Sequence, residues 1–570
     1  MPARESLEKV FSADILIVGG GIAGQACAIT AKEASPGLEI LIVDKATASK
    51  GWAGKSARTA GLLSFVTEKD DPEEFVKYCL DNIGFYLNDQ LLLREFAFAS
   101  RQIAERLGSW GVDVPRDQNG RIDYAKWPFP WGTASIDPDM CSQMSSYAKG
   151  LGVRFIDKVV VADLLRDGGR ISGAAGFGIL DGAPHIFKAG TVILANGSQN
   201  YGITPNWCST GNGIAAAYRA GAEMRNAEFG NMCDFATVDP TTGWIRYGGA
   251  HTAHDYLYNA KGEHISQKYR PGLHSSMDPI AALAWYKETL AGNGPIYADL
   301  AGFASGSGQF FKHHPKVLER SRQGTRGSSL PGAQKPEVVP GFIGELSCVR
   351  VDHQMATSIP GLFAVGDVSG SGSARAGAVP TPPAKIHGTG ILNALFMGMK
   401  SGPAAAMYAE ALNAWDVAPR TDDDQVGAIM ARTYAPLKRE KGVSPHEVIC
   451  RIQDTVAPAD YSLIKSRERM QEALALVLAV QEDLDRIKAK DYHELVRCLD
   501  AESMAIGAEM FYRASLMRTE SRGFHYREDY PEMDNKNWLK WIILKNDNGR
   551  MDLHTEDIPI DKYPYRPQNA

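Results

Sequence analysis

A run of glycines directly behind a short apolar segment constrains this chain more than any other feature. Residues 14–18 (DILIV) are typical of a buried parallel strand, and the sequence GGGIAG (residues 19–24) follows at once. Residues 22–34 are rich in alanine and predict a helix. Residues 39–43 predict a second apolar strand, which ends in Asp44. The order strand, glycine turn, helix and strand predicts a βαβ unit of the Rossmann type.

The glycines fit the pattern G-x-G-x-x-G, in which each glycine has its own task. Gly19 allows the tight turn, Gly21 lets the backbone approach a pyrophosphate, and Gly24 lets the helix pack close to the strand. The diphosphate then lies at a helix N-terminus, where free N–H groups and the helix dipole favour an anion. Asp44 stands 20 residues beyond Gly24 and is placed to accept ribose hydroxyls. This context predicts a dinucleotide site.

Two later segments decide between FAD and NAD. Residues 191–197 (TVILANG) and 361–367 (GLFAVGD) repeat the pattern of a strand followed by glycine. Asp367, after the last of these strands, can reach the ribityl–phosphate part of a flavin nucleotide. The helix that follows can direct its N-terminus at the flavin ring. Because an FAD enzyme requires such additions from distant parts of the chain, we predict FAD as the cofactor.

Four segments together carry a resemblance to a known family. They are GGGIAG, residues 209–223 (STGNGIAAAYRAGAE), GLFAVGD and residues 513–531 (RASLMRTESRGFHYREDYP). These segments resemble the flavoprotein subunits of the succinate dehydrogenase and fumarate reductase superfamily. Within that superfamily, residues 425–545 look most like the alpha subunit of adenylylsulfate reductase. The resemblance implies an FAD-dependent oxidoreductase that works with an iron–sulfur, ferredoxin-like partner subunit.

The resemblance also implies the fold class and the domain order. We expect an α/β protein with a Rossmann-type FAD-binding domain, an inserted α+β capping domain and a helical C-terminal domain. The FAD-binding domain is predicted over residues 1–226 and 346–415, the capping domain over 227–345 and the helical domain over 416–570. In the last of these, several apolar residues recur at helical spacing: Met470, Leu474, Val477, Leu478 and Leu484.

The same resemblance implies which residues contact FAD. They are predicted to be Gly19, Gly21, Ile22, Ala23, Gly24, Asp44, Lys45, Lys55, Ser56, Thr59, Ala60, Gly61, Val160, Ala195, Asn196, Gly197, Gly366, Asp367 and Ile391. Membrane-bound members of the superfamily attach FAD covalently to a histidine shortly after the second strand. The corresponding residues 50–64 (KGWAGKSARTAGLLS) contain none, and the first histidine of the chain is His185. We therefore predict non-covalent FAD.

The substrate residues of the superfamily are not matched. Fumarate reductases carry a histidine in a His-x-x-Met-Gly-Gly-like stretch before the last FAD strand, and residues 341–351 (GFIGELSCVRV) have none. Their Gln-Phe-His-Pro-Thr stretch is replaced by residues 231–238 (NMCDFATV). This stretch also lacks the arginines of the adenylylsulfate reductases. The resemblance therefore implies the scaffold and the cofactor, but neither a dicarboxylate nor adenylylsulfate as the substrate.

Four residues are candidates for the chemistry. Arg375, in the glycine-rich residues 369–377, could donate a proton or bind an oxyanion; a surface arginine is the alternative. His387 is near the start of the next predicted helix, where a positive group could stabilise reduced flavin; the alternative is a purely structural histidine. His251 and His254 would suit a metal on a helix, but Gly248 and Gly249 favour a loop and no carboxylate completes a site. We therefore predict no metal and keep both histidines as catalytic or substrate-binding candidates.

Composition excludes several classes of partner. The formal charge of −6 offers no basic field for nucleic acid, and residues 15–31 are too short and too rich in glycine to span a membrane. The N-terminal residues lack the features of a signal peptide, so we expect a cytoplasmic protein. The eight cysteines include no CxxC pair, so any iron–sulfur cluster belongs to another polypeptide.

Two other functions stay open besides that of a flavin subunit. One is a stand-alone reductase of an unsaturated carboxylate, which the missing histidines argue against. The other is a non-catalytic electron-transfer flavoprotein, which the long insertion argues against because a cap closes over a substrate. If the chain works with an iron–sulfur partner, residues 535–545 (NKNWLKWIILK) are either core or a docking surface for that partner.

Overall fold

The computed structural model describes residues 8–58, 61–203, 208–238, 245–247, 256–269, 276–277, 279–305, 314–316, 319, 335–370, 385–386, 388–414, 419 and 421–568. Helices and strands are numbered below in chain order over these residues.

The strands are β1 (Lys9–Ser12), β2 (Ile15–Val18), β3 (Ile40–Asp44), β4 (Leu62–Phe65), β5 (Ala125–Lys126), β6 (Gly132–Ser135), β7 (Arg154–Asp157), β8 (Val159–Asp167), β9 (Arg170–Gly178), β10 (Pro184–Lys188), β11 (Thr191–Leu194), β12 (Met224–Arg225), β13 (Cys233–Val238), β14 (Ile245–Tyr247), β15 (Leu257–Tyr258), β16 (Ser276–Met277), β17 (Tyr297–Ala298), β18 (Val338–Phe342), β19 (Leu362–Ala364), β20 (Lys385–Ile386), β21 (Lys540–Asp547) and β22 (Arg550–Asp557).

The α-helices are α1 (Ile22–Ala34), α2 (Pro72–Cys79), α3 (Gln90–Ser109), α4 (Met140–Gly150), α5 (Asn212–Arg219), α6 (Ile265–Tyr269), α7 (Pro279–Leu290), α8 (Leu300–Ser305), α9 (Thr389–Ala414), α10 (Asp423–Lys438), α11 (Pro445–Val456), α12 (Ala459–Ser462), α13 (Arg467–Leu484), α14 (Tyr492–Met517) and α15 (Asn535–Trp538).

A five-stranded parallel sheet is the centre of the FAD-binding part. Its strand order is β19-β11-β2-β3-β7, so β2 lies between β11 and β3. Every residue of β2 and all but the last of β3 are buried, which is why these strands read as unbroken apolar runs. All five strands point the same way, and the turns after β2, β3, β11 and β19 therefore meet at one edge of the sheet. The predicted βαβ unit is confirmed.

The inserted segment forms its own small α+β layer. Strands β14, β13 and β18 make an antiparallel sheet, and β15 pairs with β17. Phe235, Leu257, Ala284 and Val338 belong to a separate apolar core, so this layer is packed internally. The predicted α/β fold class with an inserted α+β cap is confirmed, while the exact domain boundaries stay a prediction.

Most of the C-terminal part is helical, as predicted. Helix α13 follows its N-cap Ser466 and buries Met470, Ala473, Val477 and Val480, which recur at helical spacing. This face packs against α11 and α14 in a second apolar core.

A β-hairpin, β21–β22, follows α15, and the sequence did not predict it. Strand β21 pairs with β12 of the FAD-binding part, and Trp541, Ile542 and Leu544 are buried there. The Trp541 indole N–H donates to the carbonyl oxygen of Leu87 over 2.9 Å. These three side chains are therefore core, which is one of the two alternatives for this segment, and they do not form a docking surface.

A buried network of charges fixes the end of α14 to Glu228, shortly after β12. The Arg518 guanidinium lies 2.8 Å from carboxylates of both Glu228 and Glu520, and all three side chains are fully buried. Arg522 pairs with the same Glu520 at 2.8 Å. Removing one partner from such a network costs about 3–5 kcal/mol, because the other charge stays buried without compensation.

Candidate functional site

The glycine turn after β2 requires the residues that it has. Gly19 has a φ of +111°, and a Cβ there would lie 2.5 Å from the carbonyl oxygen of Ala195. A Cβ on Gly24 would lie 2.1 Å from the carbonyl oxygen of Gly19, so the helix could not pack as closely on the strand. Both predicted roles, the tight turn and the close packing, therefore agree with the geometry.

Gly21 faces open space at the start of α1. A Cβ at this position would meet only Ser56 Oγ, at 3.6 Å. Gly21 is the N-cap of α1 and provides no side-chain cap, while the Ile22 N–H donates to Ser56 Oγ over 3.2 Å. The space beside Gly21, the helix N-terminus and the Ser56 hydroxyl form a cradle that fits a diphosphate.

Asp44 is oriented by the backbone on both sides of the turn. Its carboxylate accepts the N–H of Gly20 at 2.7 Å and the N–H of Ala46 at 2.6 Å. Each carboxylate oxygen has a further lone pair, so Asp44 can still accept a ribose hydroxyl. Lys45, the next residue, lies 3.8 Å from Asp500 of α14, and its contact with FAD stays a prediction.

Lys55 joins the loop after β3 to three other segments. Its Nζ donates to Ser198 Oγ at 2.7 Å, to Asp367 at 3.0 Å and to Glu345 at 3.3 Å. Burial lowers the pKa of Lys55, but the carboxylates of Asp367 and Glu345 outweigh burial and hold that pKa above its ordinary value. A charged lysine therefore lies beside the acid that is predicted to reach the ribityl chain.

Other FAD candidates lie in the turns behind β11 and β19, at the same edge of the sheet. Ala195, Asn196 and Gly197 follow β11, and Asn196 Oδ1 is buried without a protein hydrogen-bond partner. Such an atom fits a ligand donor, because buried polar atoms are rarely left unsatisfied. Gly366 directly precedes Asp367 in the turn behind β19.

The other candidates are placed as follows. Ala23 lies in the first turn of α1, Ile391 in the first turn of α9, Gly61 just before β4 and Val160 within β8. Their contacts with FAD stay predictions. Thr59, Ala60, His251, His254, Arg375 and His387 lie outside the described residues.

Sequence reasoning missed Ser198 and Glu345. Glu345 is fully buried, follows the last cap strand β18, and its N–H donates to the carbonyl oxygen of Gly230. An acid inside a largely apolar stretch (residues 341–349) was the signal that could have found it. Ser198 follows the glycine turn behind β11, and no pattern in the sequence marks it.

One cluster of possible metal ligands occurs among the described residues. Ligand atoms of Asp113, Asp137 and His314 lie within 4.8 Å of one another. The Lys316 ammonium lies 2.5 Å from Asp137, and the His314 N–H donates to Ser135 Oγ. These contacts join residues 314–316 to Asp137 and to strand β6.

Comparison with known proteins agrees with this geometry. Residues 14–379 match the family model for an FAD binding domain, and residues 452–570 match the model for the fumarate reductase flavoprotein C-terminal region. The chain belongs to the fumarate reductase and succinate dehydrogenase family of flavoproteins. As a member of this family it is an FAD-dependent oxidoreductase, and the predicted superfamily and cofactor are confirmed.

Its relatives are similar over nearly their whole length. One is a subunit of the fumarate reductase (CoM/CoB) of Methanothermobacter marburgensis, which is 26% identical over 94% of this chain and 97% of that protein. The L-aspartate oxidase of Streptomyces coelicolor is also 26% identical, over 96% of this chain and 94% of that protein.

Solved structures share the fold. A quinol–fumarate reductase with menaquinol superimposes with a TM-score of 0.82 at 20% identity, covering 98% of this chain and 100% of that one. The adenylylsulfate reductase of Archaeoglobus fulgidus superimposes with a TM-score of 0.76 at 20% identity, covering 99% and 100%. Within the described residues, no helix is both long and apolar enough to cross a membrane.

Proposed function

We propose that this protein is the flavin subunit of a multi-subunit oxidoreductase. It exchanges two electrons with a small polar substrate and passes them one at a time to an iron–sulfur partner. FAD, when bound, supplies the ability to take electrons in pairs and to release them singly. The predicted cytoplasmic location remains part of this proposal.

The contact between Glu345 and Lys55 is the observation that supports a catalytic role most directly. Glu345 ends the predicted cap segment, and Lys55 lies in the loop that forms the cofactor cradle. The inserted layer therefore meets the FAD-binding part at the cleft itself. A cap in this place can exclude water from the reacting atoms and hold a substrate against them.

The residues at this junction also provide proton-carrying groups. Lys55, Glu345, Ser198 and Asp367 form one hydrogen-bonded set in which Glu345 is fully buried. Two-electron chemistry on an organic substrate moves protons as well as electrons, and such a set can hold or relay one.

The arrangement of the cysteines supports a separate partner that carries the iron–sulfur clusters. The chain has eight cysteines without cluster spacing, and Cys27, Cys79, Cys141, Cys233, Cys348 and Cys498 are buried as free thiols in the structure. No set of thiolates can therefore hold an iron–sulfur cluster within the described residues. The similar protein of Methanothermobacter is itself named as one subunit of its enzyme, which supports the same arrangement here.

Anaerobic stopped-flow spectroscopy tests this proposal. The purified FAD protein is mixed with candidate dicarboxylates and other small polar donors, and bleaching of the flavin absorbance is followed. We expect one class of substrate to reduce the flavin and an oxidised ferredoxin to reoxidise it. Full-rate turnover with dioxygen or a nicotinamide nucleotide alone would contradict the proposal.

A further inference from the structure

A histidine and a cysteine contact each other at the surface of the helical part, near the start of α11. Both ring nitrogens of His446 lie 3.8 Å from Cys450 Sγ. The two residues are four apart in the sequence, so their side chains leave the same face of the helix. His446 is exposed and Cys450 is partly exposed, whereas most other cysteines of the chain are buried. The pair is therefore open to a ligand from solvent.

The helix that carries the pair is held firmly. The Ser444 side chain caps α11 by accepting the N–H of Glu447, which satisfies one of the free donors at the helix N-terminus. On the opposite face, Val448 and Ile452 are buried in the apolar core that α11 shares with α13 and α14. The backbone positions of the two ligands are therefore fixed in advance, and a ligand has to order only two side chains.

The spacing of the pair matches that of two ligands on one zinc ion. In a tetrahedral site, bonds of about 2.3 Å to sulfur and about 2.0–2.1 Å to nitrogen place these two atoms about 3.6 Å apart. The observed 3.8 Å is only slightly longer. Because both ring nitrogens are equally distant, rotation of the exposed ring directs either one at the ion. Thiolate and imidazole are ligands that zinc prefers, whereas magnesium and calcium prefer oxygen.

The charges on this face of α11 favour a cation. Glu447 and Asp454 are exposed on the same face, and neither side chain forms an ion pair within the described part of the chain. Arg451, which is the only arginine or lysine of α11, pairs with Asp483 of α13. The acidic side chains are thus left without a cation of the protein, and their field attracts a metal ion from solvent.

We propose that His446 and Cys450 form a surface site for one Zn²⁺ ion per chain. The site is separate from the cluster around Asp137, and it does not depend on the proposed function. Cys450 binds as the thiolate and releases its proton to solvent, while one ring nitrogen of His446 donates its lone pair to the ion. Asp454 is too far from His446 to share the ion, because eight residues of helix span about 12 Å. Water fills the two remaining positions.

The test uses the FAD-loaded full chain, freed of metal with a chelator and kept under reducing conditions. Zn²⁺ affinity and stoichiometry are measured by competition with a chromophoric chelator. Co²⁺ serves as the spectroscopic probe, because a cobalt–thiolate bond produces charge-transfer absorption in the near ultraviolet. This absorption is recorded as a difference spectrum against the metal-free protein.

Two single variants, His446→Gln and Cys450→Ser, are compared with a matched control. The control is the double variant His493→Gln, Cys208→Ser, which also removes one exposed histidine and one exposed cysteine, from two different segments. His493 is the second residue of α14, as His446 is of α11, but Arg497 stands four residues further on in place of a cysteine.

We expect one Zn²⁺ per chain in the wild type and in the control. Each single variant should bind Zn²⁺ at least about a hundredfold more weakly, since loss of an outer-shell partner alone costs about 10–100-fold. The charge-transfer absorption of the Co²⁺ form should disappear in Cys450→Ser and persist in the control. Flavin content and melting temperature without metal should stay unchanged in all variants, which shows that the protein is still folded.

Three results would overturn this inference, and none of them affects the proposed function. The first is equal Zn²⁺ affinity in the wild type and in both single variants, which would place the ion elsewhere. The second is a Co²⁺ form without thiolate absorption, which would remove Cys450 from the ligands. The third is one ion per two chains, which would replace the two waters by the same pair of a second copy.

Discussion

Lys55 is held at the cofactor cleft by acceptors on three different segments of the chain. A charge-assisted hydrogen bond contributes about 1.5–3 kcal/mol. Without the Lys55 ammonium these bonds are lost, and the loop that carries Ser56 and forms part of the cradle is held less firmly. We expect Lys55→Met to raise the dissociation constant of FAD by about tenfold to a hundredfold. Fluorescence titration of the apoprotein with FAD measures this change.

Two further variants make the Lys55 result decisive. Lys77→Met removes an exposed lysine paired with Asp81 and should leave the FAD affinity unchanged. The double variant Lys55→Met, Glu345→Gln no longer buries an uncompensated carboxylate, so it should recover stability but not FAD affinity. Equal FAD affinity in the wild type and in Lys55→Met would show that the lysine has no part in holding the cofactor.

Substitutions at Gly21 and Gly24 distinguish an effect on cofactor binding from an effect on folding. A methyl group on Gly21 meets only Ser56 Oγ at 3.6 Å, whereas one on Gly24 meets a backbone oxygen at 2.1 Å. We expect Gly21→Ala to fold with wild-type thermal stability but to bind FAD at least about tenfold more weakly. Gly24→Ala should lose stability as well. Calorimetry of the apoproteins and FAD titration check both statements, and full flavin content in Gly21→Ala would contradict the diphosphate cradle.

FAD should be released when the protein is denatured. Residues 50–64 contain no histidine that could form the covalent bond found in membrane-bound relatives. We expect acid precipitation to leave all of the yellow colour in the supernatant. Flavin fluorescence that migrates with the polypeptide in a denaturing gel would contradict this prediction.

Among single residues, the sequence was informative where one motif decides the geometry. The glycines and Asp44 lie as expected because a βαβ turn allows few alternatives. Lys55 was predicted to contact FAD, but its bonds to Ser198 and Glu345 join segments far apart in the chain, and no local pattern records such contacts.

At the scale of elements, the segment after α14 forms a buried polar network with Lys465, which lies just before α13. Lys465 Nζ lies 2.9 Å from His525 Nδ1, and His525 Nε2 lies 3.2 Å from the carbonyl oxygen of Arg518. Burial, together with the charges of Lys465, Arg518 and Arg527, holds the pKa of His525 well below its ordinary value. Burial also holds the pKa of Lys465 well below its ordinary value.

This network makes stability depend on pH. The unfolded chain takes up a proton at His525 near pH 6.5, and the folded protein does not, so acid favours the unfolded state. The free energy of unfolding should fall below about pH 6.5, by up to about 1.4 kcal/mol per pH unit for this group. His525→Gln keeps a hydrogen-bonding side chain without the titration and should show a shallower decline. Urea unfolding at several pH values compares the two, and identical declines would contradict the assignment.

Elements with strong periodicity were predictable, and the terminal hairpin was not. Helix α1 has the predicted bounds because an alanine-rich run lies between the glycine turn and Pro36, and strand β11 has them because its short apolar run ends at Ala195-Asn196-Gly197. Strand β21 has the same apolar character, but its partner β12 lies far away in the sequence. Nothing local distinguishes an apolar segment that pairs with a distant strand from one that binds another protein.

At the scale of the whole molecule, the cofactor cleft lies between two layers with separate cores. The FAD-binding part provides the cradle, and the inserted layer reaches it through Glu345. The family and the fold were predictable because several motifs in distant parts of the chain point to the same family. The substrate was not, because the histidines that identify it in relatives are absent and the remaining candidates follow no pattern.

Isolation of the native complex under anaerobic conditions is the decisive measurement for the proposed function. This isolation tests whether the chain is the flavin-carrying subunit of an enzyme whose iron–sulfur clusters lie on a partner. We expect FAD and a second polypeptide to co-purify with this chain, with several iron atoms per flavin. An iron-free, single-chain flavoprotein that turns over its substrate at full rate would contradict the proposed function.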